Sequence, residues 1–407
     1  MIRMALGAVP PGAILARTLY TPAGQPVLRA GHPLTDSVLA RLDSFGIEFV
    51  WVEEPALTGL EPVEPLQPVT WLQLRQLLHD LVAAARAGEP SLPPALRGPL
   101  LALAGRVADE LEALAAPPLP YAAGPDPVSR WVAGTLNRAV LAGRLALAGP
   151  YRAHVRDFVL AALLQDVGIW LEAGAWTRPG ARPGDQPASW APCQPLAAGE
   201  PDHGAAERHV ARSLRWLSGV ELGGLVRALI AQHHERLDGT GYPEGLRGSA
   251  FHPAARRMAA AVAYTLAVEG CSHRPAWLPH EAYEWLLAEG SGLWDAPVLK
   301  ELAEVLFPYP VGTLVQVDYR DWGVVVDCSG ARRLRPRVRM LPHPPPAGPG
   351  GVTTVEEVDL LEARTRQITG WSPAAGSDAG PGPAGEQGPA DPGDGGRHAP
   401  GTGGETA

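Results

Sequence analysis

The chain has 407 residues, of which 46% are hydrophobic, and its formal net charge is -9. This length suggests two or three domains with buried cores, and the acidic balance argues against DNA binding, which depends on clustered Lys and Arg. No apolar run reaches the about 18 residues that a membrane span needs. The three cysteines form no CxxC pair, so we expect a cytoplasmic protein without a disulfide framework.

Residues 1–56 predict a small N-terminal α/β domain. Short apolar and β-branched runs alternate here with turn residues, and one helix is preceded by capping residues and followed by a glycine. The expected elements are strands at 13–19 and 26–30, a helix from Thr35 or Asp36 to about Phe45, and a strand at 47–52.

Residues 57–118 predict a linker followed by a helical hairpin. Leu72, Leu74, Leu77 and Leu78 repeat at near-helical spacing, and Pro residues separate this run from a second one. Residues 119–309 predict a larger helical domain. It is interrupted at 178–204 by a Pro- and Gly-rich insertion, which we expect to be exposed and mobile.

Residues 310–369 change character and predict a small C-terminal β domain. The expected strands lie at 313–317, 323–326 and 335–341, with a further strand within 352–361. Residues 370–407 consist mostly of Gly, Pro, Ala and acidic residues. A segment with so little to bury is expected to be a disordered tail.

The sharpest local signal is the string HHERLDGTGYP, which begins at His233 and His234. Adjacent histidines at a helix end can bring two imidazoles to one centre, and imidazole suits Fe, Mn and Zn. The residues that follow break the helix and form a loop. Its characteristic positions are Asp238, Gly239, Gly241, Tyr242 and Pro243.

This string resembles the signature of the HD-GYP family, and the resemblance covers roughly residues 127–307. Residues 161–168 resemble the family's HD segment, and residues 209–217 resemble the His-led helix that follows it. The resemblance implies a mainly α fold, an HD-GYP-type helical bundle flanked by the two smaller domains. It also implies two or three bound metals and hydrolysis of cyclic di-GMP.

The family's metal ligands carry over to this sequence only in part. Asp166 stands at the position of the bridging aspartate, and His209, His233 and His234 match three histidine ligands. The remaining ligand positions hold Val128, Gln165 and Val262, and Ile169 replaces a lysine. The resemblance therefore implies a site for one divalent ion, such as Fe or Mn, or for no ion at all.

Three functional hypotheses remain open. The first is a catalytically impaired module of cyclic di-GMP signalling that binds a cyclic dinucleotide or a partner such as a GGDEF-domain protein. The second is an active phosphodiesterase with an altered metal site, and the third is a structural scaffold. The resemblance places Arg274 near the phosphate of a bound nucleotide, and no catalytic residue is assigned.

Overall fold

The computed structural model describes residues 1–114, 116–124, 126–171, 203–270, 276–288, 290–341 and 356–376. Most of the predicted insertion at 178–204 lies outside the described residues, and so does the predicted tail from residue 377 onward. No helix in these ranges is both long and apolar enough to cross a membrane.

The N-terminal unit consists of three small antiparallel strand pairs and one helix, α1. The strand pairs are β1–β6, β2–β5 and β3–β4, and the Thr35 hydroxyl accepts from the Val38 amide to cap α1. The predicted strand at 13–19 is two shorter strands, and the first strand of the chain was missed because only its pairing with β6 defines it. The elements are β1 (Ile2–Ala5), β2 (Ala13–Ile14), β3 (Leu19–Tyr20), β4 (Pro26–Leu28), β5 (Pro33–Leu34), α1 (Asp36–Ser44) and β6 (Phe49–Val52).

The middle of the chain is helical, as predicted. Six of its helices have Pro in their first turn, where the missing N–H costs nothing. One continuous apolar core joins the two helices of the predicted hairpin to the helices that follow. The helices are α2 (Pro68–Arg86), α3 (Pro94–Glu112), α4 (Pro127–Ala148), α5 (Val155–Leu164), α6 (His203–Trp216), α7 (Gly224–Gln232), α8 (Pro253–Glu269), α9 (Pro279–Ala288), α10 (Gly290–Leu293) and α11 (Ala296–Val305).

The C-terminal β domain is a five-stranded antiparallel sheet with the order β10-β9-β8-β7-β11. Its last strand returns to pair with the first, and alternating Val side chains fill the core. The last strand continues to Ser372, so the predicted start of the tail at residue 370 is too early. The strands are β7 (Leu314–Val317), β8 (Asp321–Asp327), β9 (Arg337–Met340), β10 (Glu357–Asp359) and β11 (Ile368–Ser372).

The two small units pack on each other and on the helical part. The buried Arg3 side chain donates to the carbonyls of Pro373 and Pro120, and the Ala5 amide donates to the Ala375 carbonyl at 2.8 Å. Residues 373–375 therefore belong to the folded structure, because they pair with the first strand of the chain.

Candidate metal centre

Four predicted ligands, carried by three different helices, meet in the helical core. Asp166 follows the end of α5, His209 lies within α6, and His233 and His234 follow the last residue of α7. One ligand atom from each lies within 4.8 Å of the others, and at most 5% of any of these residues is exposed. The adjacent histidines end a helix because the loop after them turns back.

The spacing of the ligand atoms fits a metal ion. His209 Nε2 and His233 Nε2 each lie 3.3 Å from Asp166 Oδ1 and 3.3 Å from each other. Ligand atoms are about 3.3 Å apart when each is about 2.0–2.1 Å from a tetrahedral ion. His233 Nδ1 donates to the Ile230 carbonyl at 2.7 Å, and this bond leaves the Nε2 lone pair facing the cluster.

The protonation states also suit metal binding. Burial lowers the pKa of His233, and burial with the charges of the neighbouring histidines lowers the pKa of His234 well below its usual value. Burial opposes the ionisation of Asp166, but His209, His233 and Arg138 hold its pKa well below its ordinary range. A carboxylate beside neutral imidazoles is the donor set that binds a divalent ion.

Close packing of α6 against the turn after α5 positions His209. A Cβ on Gly168 would collide with the His209 carbonyl, so only glycine allows this approach. The Gly168 amide donates to Ser213 Oγ at 2.8 Å, and Ser213 Oγ donates to the Gln165 carbonyl at 2.7 Å. Ser213, which the sequence did not single out, thus links the helix of His209 to the turn of Asp166.

The GYP loop folds back onto the two adjacent histidines. The Tyr242 ring stacks on His234 with centroids 4.5 Å apart, and the Tyr242 amide donates to the His234 carbonyl. A Cβ on Gly241 would meet the backbone of His234 and Glu235, and Gly239 has a positive φ. Glycine at both positions therefore lets the loop close over the site.

Two acidic side chains hold this loop in shape. Glu235 is 1% exposed, and its carboxylate accepts from the amides of Glu244 and Leu246, each at 2.8 Å. Asp238 accepts from the Thr240 amide and hydroxyl at 2.9 and 2.8 Å. Both carboxylates fix loop geometry, so the loop residues support the site through His234.

The opposite side of Asp166 faces an arginine that sequence reasoning missed. Arg138 of α4 is 3% exposed and lies 3.3 Å from Asp166 Oδ2 and 3.1 Å from Glu269 Oε2. Burial raises the pKa of Glu269, while Arg138 acts in the opposite direction. The available signal was an arginine directly before the apolar run 139–142 of α4, because a buried charge requires a partner.

At three positions the resemblance implies a metal ligand that this chain lacks, and the residues found there add few polar groups to the site. Val262 is buried in α8, and Val128 is a partly buried residue of the first turn of α4. Gln165 is fully buried, with its Nε2 3.5 Å from Asp166 Oδ2, at the limit of a hydrogen bond. Arg274, which the resemblance placed near a phosphate, lies outside the described residues.

The family model described as HD domain matches residues 200–297. A cyclic di-GMP phosphodiesterase of Pseudomonas aeruginosa is 32% identical over 177 residues, which are 43% of this chain and 42% of that protein. The cyclic di-GMP phosphodiesterase response regulator RpfG of Xanthomonas campestris is 41% identical over 71 residues, 17% of this chain and 19% of that protein. The chain thus spans less than half the length of these relatives.

Among solved structures, an HDGYP protein from Bdellovibrio bacteriovorus is 14% identical, with a TM-score of 0.42 over 75% of this chain and 98% of that one. The helical core contains the residues that match an HD domain, and its His and Asp cluster could hold a metal ion. The complete GYP string after the two histidines and the phosphodiesterase relatives support the resemblance of this chain to the HD-GYP family.

Proposed function

We propose that this chain is a regulatory protein of cyclic di-GMP signalling that binds one divalent ion and a nucleotide but hydrolyses it poorly. The single observation that supports this most is the arrangement around Asp166. Histidines surround its Oδ1 atom, whereas the Arg138 guanidinium lies 3.3 Å from its Oδ2 atom.

A second ion would need this second oxygen. Two-metal hydrolases hold their ions about 3.5–4 Å apart, which requires a carboxylate that bridges both ions. Arg138 already neutralises the free side of Asp166, and Val128 and Val262 offer no donor atoms. We therefore propose that one ion, Fe or Mn, is held by Asp166, His209, His233 and His234, and that no second metal ion binds beside it.

One ion would supply Lewis-acid polarisation of a bound phosphate oxygen. Two contacts would orient the histidine ligands of this ion. The Ile230 carbonyl sets the tautomer of His233, and the Tyr242 ring stacks on His234. Hydrolysis also needs an activated water and charge neutralisation on both reacting oxygens. No second cluster of potential ligands occurs among the described residues to meet that need.

Purified protein loaded with Mn²⁺ or Fe²⁺ provides the test. We expect about one ion per chain by elemental analysis and little or no linear product from cyclic di-GMP, because a single ion cannot clamp both reacting oxygens. His233→Ala should lose the ion, and Arg152→Gln, at an exposed surface arginine, should keep it. Turnover at a rate typical of the family, abolished by His233→Ala, would support the phosphodiesterase alternative instead.

Two features favour the phosphodiesterase alternative. All four retained ligand positions converge, and Asp166 lines a large cavity, so a substrate has room beside it. The scaffold alternative requires that purified protein bind neither metal nor nucleotide. A measurement of metal content, nucleotide binding and turnover on one preparation therefore separates the three functions.

A GGDEF-domain partner forms the finer part of the proposal. Tyr242 is buried, but the neighbouring Thr240, Pro243 and Glu244 are exposed at the tip of the GYP loop. A partner would contact this tip rather than the tyrosine. Glu244→Arg should weaken binding to a purified GGDEF domain, whereas Glu281→Arg, on the exposed surface of α9, should not. Equal binding by both variants would exclude the loop tip as the docking surface.

A further inference from the structure

An ion-pair triad of Asp166, Arg138 and Glu269 connects the candidate metal centre to the end of α8. One terminal nitrogen of Arg138 lies 3.3 Å from Asp166 Oδ2, and the other lies 3.1 Å from Glu269 Oε2. The side chains of Asp166 and Arg138 are 6% and 4% exposed, whereas that of Glu269 is 29% exposed. Glu269 is therefore the solvent-accessible end of the triad.

A glycine in the middle of α4 makes room for the Glu269 carboxylate. A Cβ on Gly134 would lie 2.7 Å from both carboxylate oxygens of Glu269, which is closer than such atoms approach in proteins. Glycine destabilises a helix interior relative to alanine, and Gly134 lies one turn before Arg138 on the same face of α4. The glycine thus lets the carboxylate reach the guanidinium, at a cost to the helix.

The contact with Glu269 also determines how Arg138 meets Asp166. Arginine and a carboxylate favour a bidentate pair, in which two nitrogens bind both oxygens. Here one terminal nitrogen is engaged by Glu269, so Arg138 reaches Asp166 only at Oδ2. Asp166 Oδ1 is left to face His209 and His233, each at 3.3 Å.

The charges of the triad lead to the same conclusion. Arg138 alone would neutralise Asp166, and burial keeps His233 and His234 neutral by lowering the pKa of each. With Glu269 included, the triad retains one negative charge. A divalent ion in a buried site binds a negative ligand set more strongly than a neutral one, because the surroundings screen little.

The triad lies at the junction of the three parts of the molecule. Asp166, Arg138 and Glu269 all line a large cavity between the N-terminal unit, the helices and the C-terminal β domain. Leu6 and Trp371 line the same cavity from the two smaller units. Glu269 is therefore placed by the packing of α8 against α4 at this junction, outside the cluster of metal ligands.

We propose that Glu269 is a positioning residue of the metal centre. It holds the Arg138 guanidinium on the Oδ2 side of Asp166 and so keeps Oδ1 available for the ion. This inference rests on the proposed function, to which it adds the residue that sets the affinity for the ion. Glu269 does not touch the ion and acts only through Arg138.

The test measures the Mn²⁺ affinity of the full chain by competition with a fluorescent chelator. Glu269→Gln should weaken binding by about tenfold or more, because the charge that holds the guanidinium is lost. Glu269→Asp, which keeps the charge on a shorter side chain, should fall between. Gly134→Ala should also weaken binding, since its Cβ displaces the carboxylate without changing any charge. The matched control is Gly105→Ala in α3, whose Cβ would meet nothing closer than 3.9 Å.

A double-mutant comparison shows whether Glu269 acts through Arg138. In the Arg138→Gln background, Glu269→Gln should have a much smaller effect on Mn²⁺ affinity, because the group that it positions is gone. An equal loss of affinity in both backgrounds would show that Glu269 attracts the ion directly, which overturns the positioning role. A lower unfolding free energy of metal-free Glu269→Gln with unchanged Mn²⁺ affinity would show a purely structural ion pair, which also overturns it.

The outcomes separate this inference from the proposed function. If the wild type binds neither Mn²⁺ nor Fe²⁺, both are wrong. If the wild type binds one ion and Glu269→Gln binds it equally well, only the inference is wrong. If Glu269→Gln fails to fold, Gly134→Ala and Glu269→Asp decide. Weaker binding than in Gly105→Ala supports the role of Glu269, and equal binding overturns it.

Discussion

At the scale of single residues, the site is governed by what occupies each oxygen of one carboxylate. Asp166 Oδ1 faces histidines that can share a metal ion, and Asp166 Oδ2 faces Arg138, a cation that cannot leave. Arg138 in turn joins Asp166 to Glu269. The Arg138 guanidinium thus lies beside the Asp166 oxygen that the proposed function assigns to a missing second ion.

Removal of Arg138 should destabilise the metal-free protein. Arg138→Gln leaves two buried or partly buried carboxylates without their cation, and breaking such a pair costs about 3–5 kcal/mol. Chemical denaturation in EDTA measures this change. Arg138→Gln combined with Glu269→Gln should recover part of the loss, since one of the uncompensated charges is gone. An unchanged unfolding free energy in the single variant would contradict the role of Arg138.

Restoration of the missing ligands should raise metal occupancy and turnover. We expect Gln165→His, combined with the substitutions Val128→His and Val262→Asp that the resemblance suggests, to add a donor atom beside Asp166, because Gln165 Nε2 lies 3.5 Å from Asp166 Oδ2. The effect should be larger when Arg138→Gln is added, because the guanidinium then no longer competes for Oδ2. Elemental analysis and cyclic di-GMP turnover check both statements. A larger gain in metal content and turnover in the variant that keeps Arg138 would contradict the idea that Arg138 competes with an ion for Asp166 Oδ2.

At the scale of elements, the GYP loop and the end of α7 form one unit. Tyr242 stacks on His234, and Glu235 binds the returning backbone. Gly241→Ala should push this loop away and weaken metal binding, because a Cβ there meets the backbone of His234 and Glu235. Gly224→Ala is the matched control, with open space around its Cβ. Equal metal affinity in both variants would show that the loop does not support His234.

The contact between α9 and the residue before the β domain should depend on pH. His280 Nδ1 lies 2.6 Å from the Tyr309 hydroxyl, and burial lowers the pKa of His280 below its usual value of about 6.5. A depressed histidine pKa contributes stability above the unfolded value, and that stability is lost as pH falls through the folded value. Thermal denaturation should therefore show a smaller loss between pH 7.5 and 5 in His280→Asn than in the wild type.

At the scale of the whole molecule, the two chain ends of the described structure hold the three parts together. Arg3 donates to the carbonyls of Pro373 and Pro120, and β1 continues the contact through Ala5 and Ala375. The cavity depends on this arrangement, because each part contributes to its wall.

Loss of Arg3 should loosen the N-terminal unit without affecting the metal cluster. Arg3→Ala leaves carbonyl acceptors unsatisfied, at about 1–3 kcal/mol for each buried group. Hydrogen exchange should rise across residues 1–56 and 373–376, while metal content stays the same. Arg41→Ala, at an exposed arginine of α1, serves as the control. Unchanged exchange in Arg3→Ala would show that other contacts dominate the packing.

The sequence by itself determined the helical domain, the four converging residues and the small units at either side. These features depend on local periodicity, capping and a long motif, all of which are written in neighbouring residues. The assignment of Val128, Gln165 and Val262 to the family's ligand positions comes from motif spacing and stays a prediction.

Only the tertiary structure revealed Arg138 beside Asp166, the large cavity that Asp166 lines, and the extension of the last strand to Ser372. The partners in these contacts are far apart in the chain: Arg138 and Glu269 are separated by 131 residues, and Arg3 and Pro373 by 370. Such contacts are set by how helices and strands pack. Local sequence patterns do not predict which distant carboxylate or carbonyl a side chain will contact.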